Sequence, residues 1–156
     1  MRTEDWPAVK AIYEQGIATK NATFDTEAPT WEDWDAGHLT KPRLVAERDG
    51  RVVAWAALSP TSRRPAYAGV VENSIYVDET ARGQGIGRAL LGELLARAEA
   101  AGLWTVQTSI FPENVASIGL HEACGFRAVG TRERIGQMDG VWRDTVLMER
   151  RATCVG

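Results

Sequence analysis

Residues 76–91 read "YVDETARGQGIGRALL" and carry the strongest structural signal in the chain. The end of an apolar strand leads into an arginine-containing loop with Gly83, Gly85 and Gly87, and the residues that follow have the apolar spacing of a helix. The free N–H groups and positive dipole end of a helix start attract anions, and glycine lets a ligand approach the backbone closely. The stretch therefore predicts a strand, an anion-binding loop and a helix in succession.

Two familiar nucleotide-binding loops do not match this stretch. A P-loop requires lysine and then serine or threonine after its last glycine, whereas Arg88 and Ala89 follow Gly87. The dinucleotide fingerprint requires a third glycine where Arg88 stands, and it normally follows the first strand of its domain. The remaining pattern, Arg82-x-x-Gly85-x-Gly87, is either a different anion-binding loop or only a tight turn.

Composition excludes several classes of function. At 156 residues we expect one domain over 1–156, and a net charge of −3 provides no basic surface for nucleic acid. No apolar run approaches the roughly 18 residues of a membrane span, and the first residues lack a signal-peptide core, so we expect a cytoplasmic protein. His38 and His121 are too few and too far apart for a metal cluster, so we expect no metal.

The order of predicted elements indicates the fold class. Apolar periodicity and turn residues predict α–α–β–β–β–α–β–α–β–β, which favours an α/β three-layer fold with helices on both faces of a mixed sheet. Asp49-Gly50 is a strong two-residue turn signal between two β-branched runs. The predicted helices are 6–19, 30–39, 85–102 and 112–125, and the predicted strands include the hairpin 43–60, then 69–77, 103–111 and two strands around "QMDG" (137–140).

A second stretch strengthens the anion-binding interpretation of the glycine loop. Residues 114–126, "NVASIGLHEACGF", place Asn114 and Ser117 at the start of a helix that ends in Gly125-Phe126. This arrangement resembles the second cofactor motif of the GNAT N-acetyltransferase superfamily, and the spacing of Arg82, Gly85 and Gly87 is similar to that of its pyrophosphate loop. The resemblance implies a GNAT-like fold and acetyl-CoA as the acetyl donor.

The resemblance also implies which residues bind acetyl-CoA. Backbone groups of the strand before the loop would hold the pantetheine arm and the thioester, and the loop amides would cradle the pyrophosphate. Asn114 would bond the pantetheine from the other side, with Ser117 beside it. The implied cofactor residues are Ile75, Tyr76, Val77, Arg82, Gly83, Gln84, Gly85, Ile86, Gly87, Arg88, Asn114 and Ser117.

Glu72 and His121 are the candidate catalytic residues. Glu72 interrupts an apolar strand, where a carboxylate needs a partner or a function, and it should share a face of the strand with Ser74 and Tyr76. We expect Glu72 to be the general base, with a structural carboxylate as the alternative. His121 stands where many superfamily members carry the tyrosine that protonates the departing sulfur, so it could act as acid or base, or only pack on its helix.

Three segments narrow the resemblance to the phosphinothricin and methionine sulfoximine N-acetyltransferases. They are "VENSIYV" (71–77), "ASIGLHEACGF" (116–126) and "GVWRDTVLMER" (140–150), and the likeness extends from about Glu4 to Arg150. It implies acetylation of a small amino acid or toxic glutamate analogue in a pocket that includes Thr23, Phe24 and Glu72. Arg63, Arg64 and Tyr67 would meet the carboxylate and phosphinate, unless the two arginines belong to a solvated turn.

The chain departs from that family in two places. Only "MRTE" precedes the first helix, where relatives have a strand, and Ala68 and Gly69 stand where relatives place arginines. The family also implies a homodimer, and Trp31 and Trp34 could lie at a subunit contact. Two other functions stay open: acetylation of a peptide or protein amine, which needs an open groove, and a non-catalytic acyl-CoA-binding module.

Overall fold

The computed structural model describes residues 1–155. Its elements follow the predicted order, although the helices predicted at 30–39, 85–102 and 112–125 are shorter at both ends and the one predicted at 6–19 ends one residue earlier. The helices are α1 (Trp6–Ala18), α2 (Trp31–Gly37), α3 (Ile86–Ala100) and α4 (Val115–Ala123). The strands are β1 (Arg43–Arg48), β2 (Arg51–Pro60), β3 (Val70–Val77), β4 (Thr105–Ile110), β5 (Arg127–Met138) and β6 (Val141–Arg151).

A six-stranded mixed sheet, in the order β1-β2-β3-β4-β6-β5, forms the middle layer. Strands β3 and β4 are parallel, and the other neighbouring strands are antiparallel. Helices α1 and α2 pack on one face, and α3 and α4 pack on the other. The predicted three-layer α/β fold is confirmed.

Asp-Gly pairs make both hairpin turns. Asp49 and Gly50 have φ angles of 53° and 73°, and Asp139 and Gly140 have 52° and 77°. Two consecutive residues in the left-handed region match the twist of the flanking strands, which is why Asp-Gly predicts a hairpin. The first turn aligns β1 against β2, and β2 in turn pairs with β3, the strand that carries the candidate base.

Two apolar clusters fix the helices to the sheet. Helix α3 buries Leu90, Leu94 and Ala98 along one side, all at most 7% exposed. Each buried leucine contributes about 1.5–3 kcal/mol. On the other face Trp34 is 2% exposed and packs on Trp55 with ring centroids 5.6 Å apart. The suggestion that Trp34 lies at a subunit contact is therefore wrong, because its indole is buried in the core of its own chain.

Strands β3 and β4 separate along their length, and this separation positions the site. Their ladder runs from Val70–Thr105 to Glu72–Gln107. Beyond that pair, β3 continues to Val77 against β2, while β4 continues to Ile110 against β6. A wedge therefore opens in the sheet directly after Glu72, with backbone polar groups along the β3 side that need other partners.

The residues before α1 form a 3₁₀ turn, Thr3–Asp5, and not the strand that the resemblance implies. The Met1 amino group donates a hydrogen bond to the Arg43 carbonyl at 3.0 Å and so lies beside β1. Among residues 1–155, no helix combines the length and the apolar character needed to cross a membrane.

Candidate active site

A cavity of about 790 Å³ occupies the wedge between β3 and β4. The glycine loop and the start of α3 close one end, and Glu72 lies at the other. The start of α4 and the segment 19–25 after α1 form the remaining walls. The wedge is thus lined by both motifs that the sequence analysis assigned to the cofactor site, the glycine loop and the start of α4.

The glycine loop adopts the backbone that an anion site needs. Gly83 and Gly85 have φ angles of 74° and 79°, a region that side chains disfavour, and Gly85 is the N-cap of α3. The first N–H groups of α3 have no acceptor within the helix, so they and the positive helix end face the cavity. The loop residues that line the cavity are Arg82, Gly83, Gly85, Ile86 and Gly87.

Gln84 and Arg88 use their side chains or carbonyls elsewhere. The Arg48 guanidinium donates to Gln84 Oε1, and Gln84 Nε2 donates to the Thr80 carbonyl at 3.5 Å. Arg88 is exposed, and its carbonyl oxygen lies 3.9 Å from the Cys124 sulfur. Gln84 can therefore offer an anion chiefly its backbone N–H, whereas the Arg88 guanidinium is exposed at the start of α3.

Glu72 lies at the point where the two parallel strands part. It is half-buried, and Gln107 Nε2 donates to its Oε2 at 3.5 Å. It lines the cavity, and alternation along β3 puts it on the α1 face with Ser74 and Tyr76. The backbone of Ile75, Tyr76 and Val77 follows along the same wall.

His121 lies on the opposite face of the sheet from Glu72. It is 1% exposed and contacts Phe126 of the α3 face, with ring centroids 4.9 Å apart. Its Nδ1 lies 2.7 Å from the Ser117 carbonyl oxygen and 3.4 Å from Ser117 Oγ, and its Nε2 lies 3.1 Å from Asn73 Nδ2. Burial lowers the pKa of His121, against the smaller opposing effect of the Ser117 carbonyl.

These contacts occupy both ring nitrogens of His121. A carbonyl oxygen can only accept, so Nδ1 carries the proton of the neutral ring and Nε2 accepts from the Asn73 amide. A proton transfer from His121 to a ligand would first require one of these bonds to break. The geometry therefore favours the packing alternative for His121 over the acid.

Asn114 fixes the start of α4 and also holds the segment 19–25. Its Oδ1 accepts from Ser117 N at 3.2 Å as the N-cap, and its Nδ2 donates to the Asn21 carbonyl at 3.1 Å. Arg143 secures the same segment by donating to the Lys20 carbonyl at 2.9 Å. The wall nearest α4 is thus tied to both the cofactor motif and β6.

Thr23 and Phe24 line the cavity within this segment. Thr23 Oγ1 accepts from Asp25 N at 3.0 Å, and Tyr13 OH donates to the Asp25 carboxylate. Phe24 packs edge-on against Phe111 with centroids 4.9 Å apart. Burial is the main cause of the raised pKa of Tyr13, and the neighbouring Asp25 adds to it, so the phenol stays protonated as a donor.

The segment 61–69 carries Arg63, Arg64 and Tyr67, and none of the three belongs to the cavity lining described within residues 1–155. All are exposed, and the Arg64 guanidinium lies 5.5 Å from the centre of the Tyr67 ring. Gly69 is buried against Trp104, and a Cβ at 69 would lie 2.1 Å from the indole. A side chain at 69, including an arginine, is therefore excluded by the Trp104 indole.

Several residues that line the cavity were not predicted as site residues from the sequence, among them Tyr13, Asp25, Asn73 and Phe111. Asn73 stood in the quoted "VENSIYV" segment, but nothing local in the sequence indicated its contact with His121, 48 positions away. Within residues 1–155, no group of three or more His, Cys, Asp or Glu side chains is arranged to hold a metal ion.

Three features of this site together define the class of acyl-CoA-dependent transferase. They are the separated β3–β4 pair, the glycine loop at the start of α3 and the helix α4 capped by Asn114. The model of the acetyltransferase (GNAT) family matches residues 6–126, and the chain belongs to this family. It is 39% identical to phosphinothricin N-acetyltransferase of Alcaligenes faecalis, over 96% of this chain and 79% of the relative.

Two further likenesses agree with that assignment. The L-methionine sulfoximine/L-methionine sulfone acetyltransferase of Pseudomonas aeruginosa is 32% identical over 93% of this chain and 88% of its own. The crystal structure of a phosphinothricin acetyltransferase from Sinorhizobium meliloti with acetyl-CoA superimposes with a TM-score of 0.87 at 32% identity, covering 97% of this chain and 85% of that one. The chain is an N-acetyltransferase that uses acetyl-CoA.

Proposed function

We propose that this enzyme acetylates the α-amine of a small amino acid, with toxic glutamate analogues such as phosphinothricin and methionine sulfoximine as the candidate acceptors. The observation that carries the proposal is the wedge itself, because it joins a glycine-lined anion site to a carboxylate over one continuous cavity. The names of the relatives support the choice of acceptors.

The cofactor half of the wedge fits acetyl-CoA, which supplies an acetyl thioester. In the proposed arrangement, amides of the loop from Gly83 to Arg88 hold the pyrophosphate, aided by the positive end of α3. Left-handed φ angles at Gly83 and Gly85 keep that backbone free of side chains. The backbone from Ile75 to Val77 would bond the pantetheine arm, with Asn114 and Ser117 on the opposite wall.

Glu72 is the proposed general base. An amine is mostly protonated near pH 7, and only its neutral form attacks the thioester carbonyl. Glu72 accepts that proton, the nitrogen–carbon bond forms, and the carbon–sulfur bond breaks to release coenzyme A as a thiolate that takes up a proton. A second carboxylate, Asp25, lines the same cavity and favours an ammonium ion there.

Thr23, Phe24, Arg63, Arg64 and Tyr67 are the proposed acceptor contacts. Thr23 and Phe24 are supported by their place in the cavity wall. The arginines are supported by the start of their segment, since Ser59 and Pro60 pair with Glu72 and Val71 at the base of the wedge. Their guanidinium groups would receive the carboxylate and phosphinate of the acceptor.

We also propose that residues 1–156 act as one domain, that the enzyme is a homodimer and that it works in the cytoplasm. The exposed β5–β6 hairpin, which carries Val129, Ile135, Val141 and Trp142, supports the dimer. The use of acetyl-CoA, an intracellular metabolite, supports the location.

The test is release of free thiol from acetyl-CoA with phosphinothricin, methionine sulfoximine and ordinary amino acids side by side. We expect turnover with a glutamate analogue, and a loss of about 10²–10⁴ in kcat for Glu72→Gln. Glu149→Gln is the matched control, because Glu149 is also half-buried on the sheet but pairs with Arg127. Binding of acetyl-CoA without turnover of any amino acid would contradict the proposal and favour a peptide amine or a silent binding module.

A further inference from the structure

Asn73 presents a buried acceptor that no protein group satisfies. Its side chain is 4% exposed and lines the cavity just beyond the last β3–β4 pair. Among residues 1–155, no donor lies within hydrogen-bonding distance of its Oδ1. A buried polar oxygen without a partner is costly, so a native structure keeps one where something else bonds it.

His121 determines which end of the Asn73 amide is free. Because Nδ1 of the ring donates to the Ser117 carbonyl at 2.7 Å, Nε2 must accept, and the Asn73 atom 3.1 Å away must be the NH₂ group. The oxygen then faces away from the ring. His121 is thus a positioning residue that holds an acceptor oxygen in the wall of the wedge.

The free oxygen calls for an N–H donor on a ligand. Acetyl-CoA carries amide N–H groups along its pantetheine arm, and the acceptor substrate carries an ammonium. Asn73 belongs to the α4 side of β3, with Ser117 and Leu120 in the same cavity wall, whereas Glu72 and Asp25 belong to the α1 side. The placement therefore favours the pantetheine arm.

We propose that Asn73 Oδ1 accepts a hydrogen bond from a pantetheine amide N–H of acetyl-CoA, and that His121 acts by orienting Asn73. The proposal rests on acetyl-CoA as the donor of the proposed function. It gives His121 a role that needs no proton transfer and explains why both of its nitrogens are engaged inside the protein.

The experiment measures binding of coenzyme A and of 3′,5′-ADP by calorimetry, without an acceptor. The second ligand has no pantetheine arm and reports on the nucleotide half alone. For Asn73→Leu we expect a Kd for coenzyme A about 3- to 10-fold higher and an unchanged Kd for 3′,5′-ADP. Asn73→Asp retains an oxygen at the same place and should keep most of the affinity.

His121→Leu tests the positioning role. It should raise the Kd for coenzyme A by a similar factor, and the double variant with Asn73→Leu should be little weaker than either single one, because both changes remove the same bond. A proton-donating His121 would instead lower kcat and leave both Kd values alone.

Each other result overturns the proposal. An unchanged Kd for coenzyme A in Asn73→Leu refutes the bond, and an equal loss for both ligands shows a general distortion of the site. If thiol-release kinetics of Asn73→Leu show a raised KM for the amino acid while both Kd values are unchanged, the acceptor ammonium is the donor. Failure of the wild-type protein to bind coenzyme A is a separate outcome, because it overturns the assignment of acetyl-CoA.

Discussion

At the scale of single residues, both histidines of the chain are held in the neutral form by their surroundings. His121 is 1% exposed on α4, and His38 stacks on Trp34 with centroids 4.2 Å apart. Burial is the largest cause of the lowered pKa at each position. A ring that resists protonation in the folded protein couples folding to pH.

We predict that the protein loses stability as pH falls below about 6.5. The unfolded chain takes up protons on both histidines near that pH, whereas the folded chain does so only at lower pH, so the stabilisation is complete above that pH and is lost on acidification. Urea unfolding of the wild type at about pH 7 and about pH 5.5 measures the loss. The free energy of unfolding should be lower at about pH 5.5 than at about pH 7, and His121→Gln should reduce this difference by up to about 1 kcal/mol.

His38→Gln is the companion variant, and together the two should make stability nearly flat across this interval. Asp78 and Glu99, whose hydrogen bonds hold their pKa values at about 2, lose their contribution only at lower pH, so they do not obscure the test. A pH dependence that survives in the double variant would show that groups other than the histidines control it.

A second residue-scale prediction concerns Arg64. If its guanidinium receives the anionic end of an acceptor, Arg64→Met should lower kcat/KM for phosphinothricin by about tenfold, because a charged hydrogen bond is lost. Methionine sulfoximine, whose side chain is uncharged, should be affected much less. Arg132→Met, a change of another exposed arginine on β5, is the control. Equal loss for both acceptors would place Arg64 against the common α-carboxylate instead.

At the scale of elements, the glycine loop and α3 form a unit whose two ends obey different backbone rules. Gly85 caps α3 with a φ of 79°, and Gly92 lies in the helix interior. A Cβ would meet no heavy atom within 4 Å at either position. Alanine would therefore fit sterically at both positions, and only at Gly85 would it strain the backbone.

We predict opposite results for alanine at these two glycines. Gly85→Ala should lower the free energy of unfolding by about 1–2 kcal/mol, because a Cβ strains the left-handed conformation. It should also weaken coenzyme A binding, by about tenfold if the loop amides hold the pyrophosphate. Gly92→Ala should stabilise by about 0.5–1 kcal/mol and leave the affinity unchanged. Equal affinity in both variants would contradict the role of the loop.

Periodicity and turn residues predict the elements well but not the wedge between them. The helical stripe of α3 and the Asp-Gly turns are local patterns, and the structure confirms them. Helix α4 begins later than predicted because Asn114 is its cap. Where the β3–β4 ladder ends is decided by packing across the sheet, so the wedge after Glu72 had no local signal.

The same distinction applies to the candidate site. Alternation along a strand groups Glu72 with Ser74 and Tyr76, and the structure agrees, since Val71 and Ile75 pack in the cluster on the α3 face and Tyr76 in the cluster on the α1 face. The Asn73–His121 contact joins β3 to α4 across 48 positions, and it decides what His121 can do. Roles that depend on pairs distant in sequence need the folded chain.

At the scale of the whole molecule, the edge of the sheet formed by β5 is the feature that bears on assembly. Strand β5 has β6 as its neighbour on one side, and the hairpin of the two strands exposes Ile135 (52%) and Trp142 (54%) to solvent. An open strand with exposed apolar side chains favours association with another chain. This face is the structural support for the proposed homodimer.

We predict that the protein sediments as a dimer. The double variant Ile135→Ser/Trp142→Ser should raise the Kd for dimer dissociation by at least about tenfold, because it removes two apolar side chains from the interface. Val115→Ser is the matched control, since Val115 is also an exposed apolar residue (73%) but belongs to α4 and not to the hairpin. Sedimentation equilibrium over a range of protein concentrations measures the shift. If all three proteins sediment alike as dimers, the contact lies on another face; if the wild type is a monomer at every concentration, the dimer itself is refuted, and the site must then act within one chain.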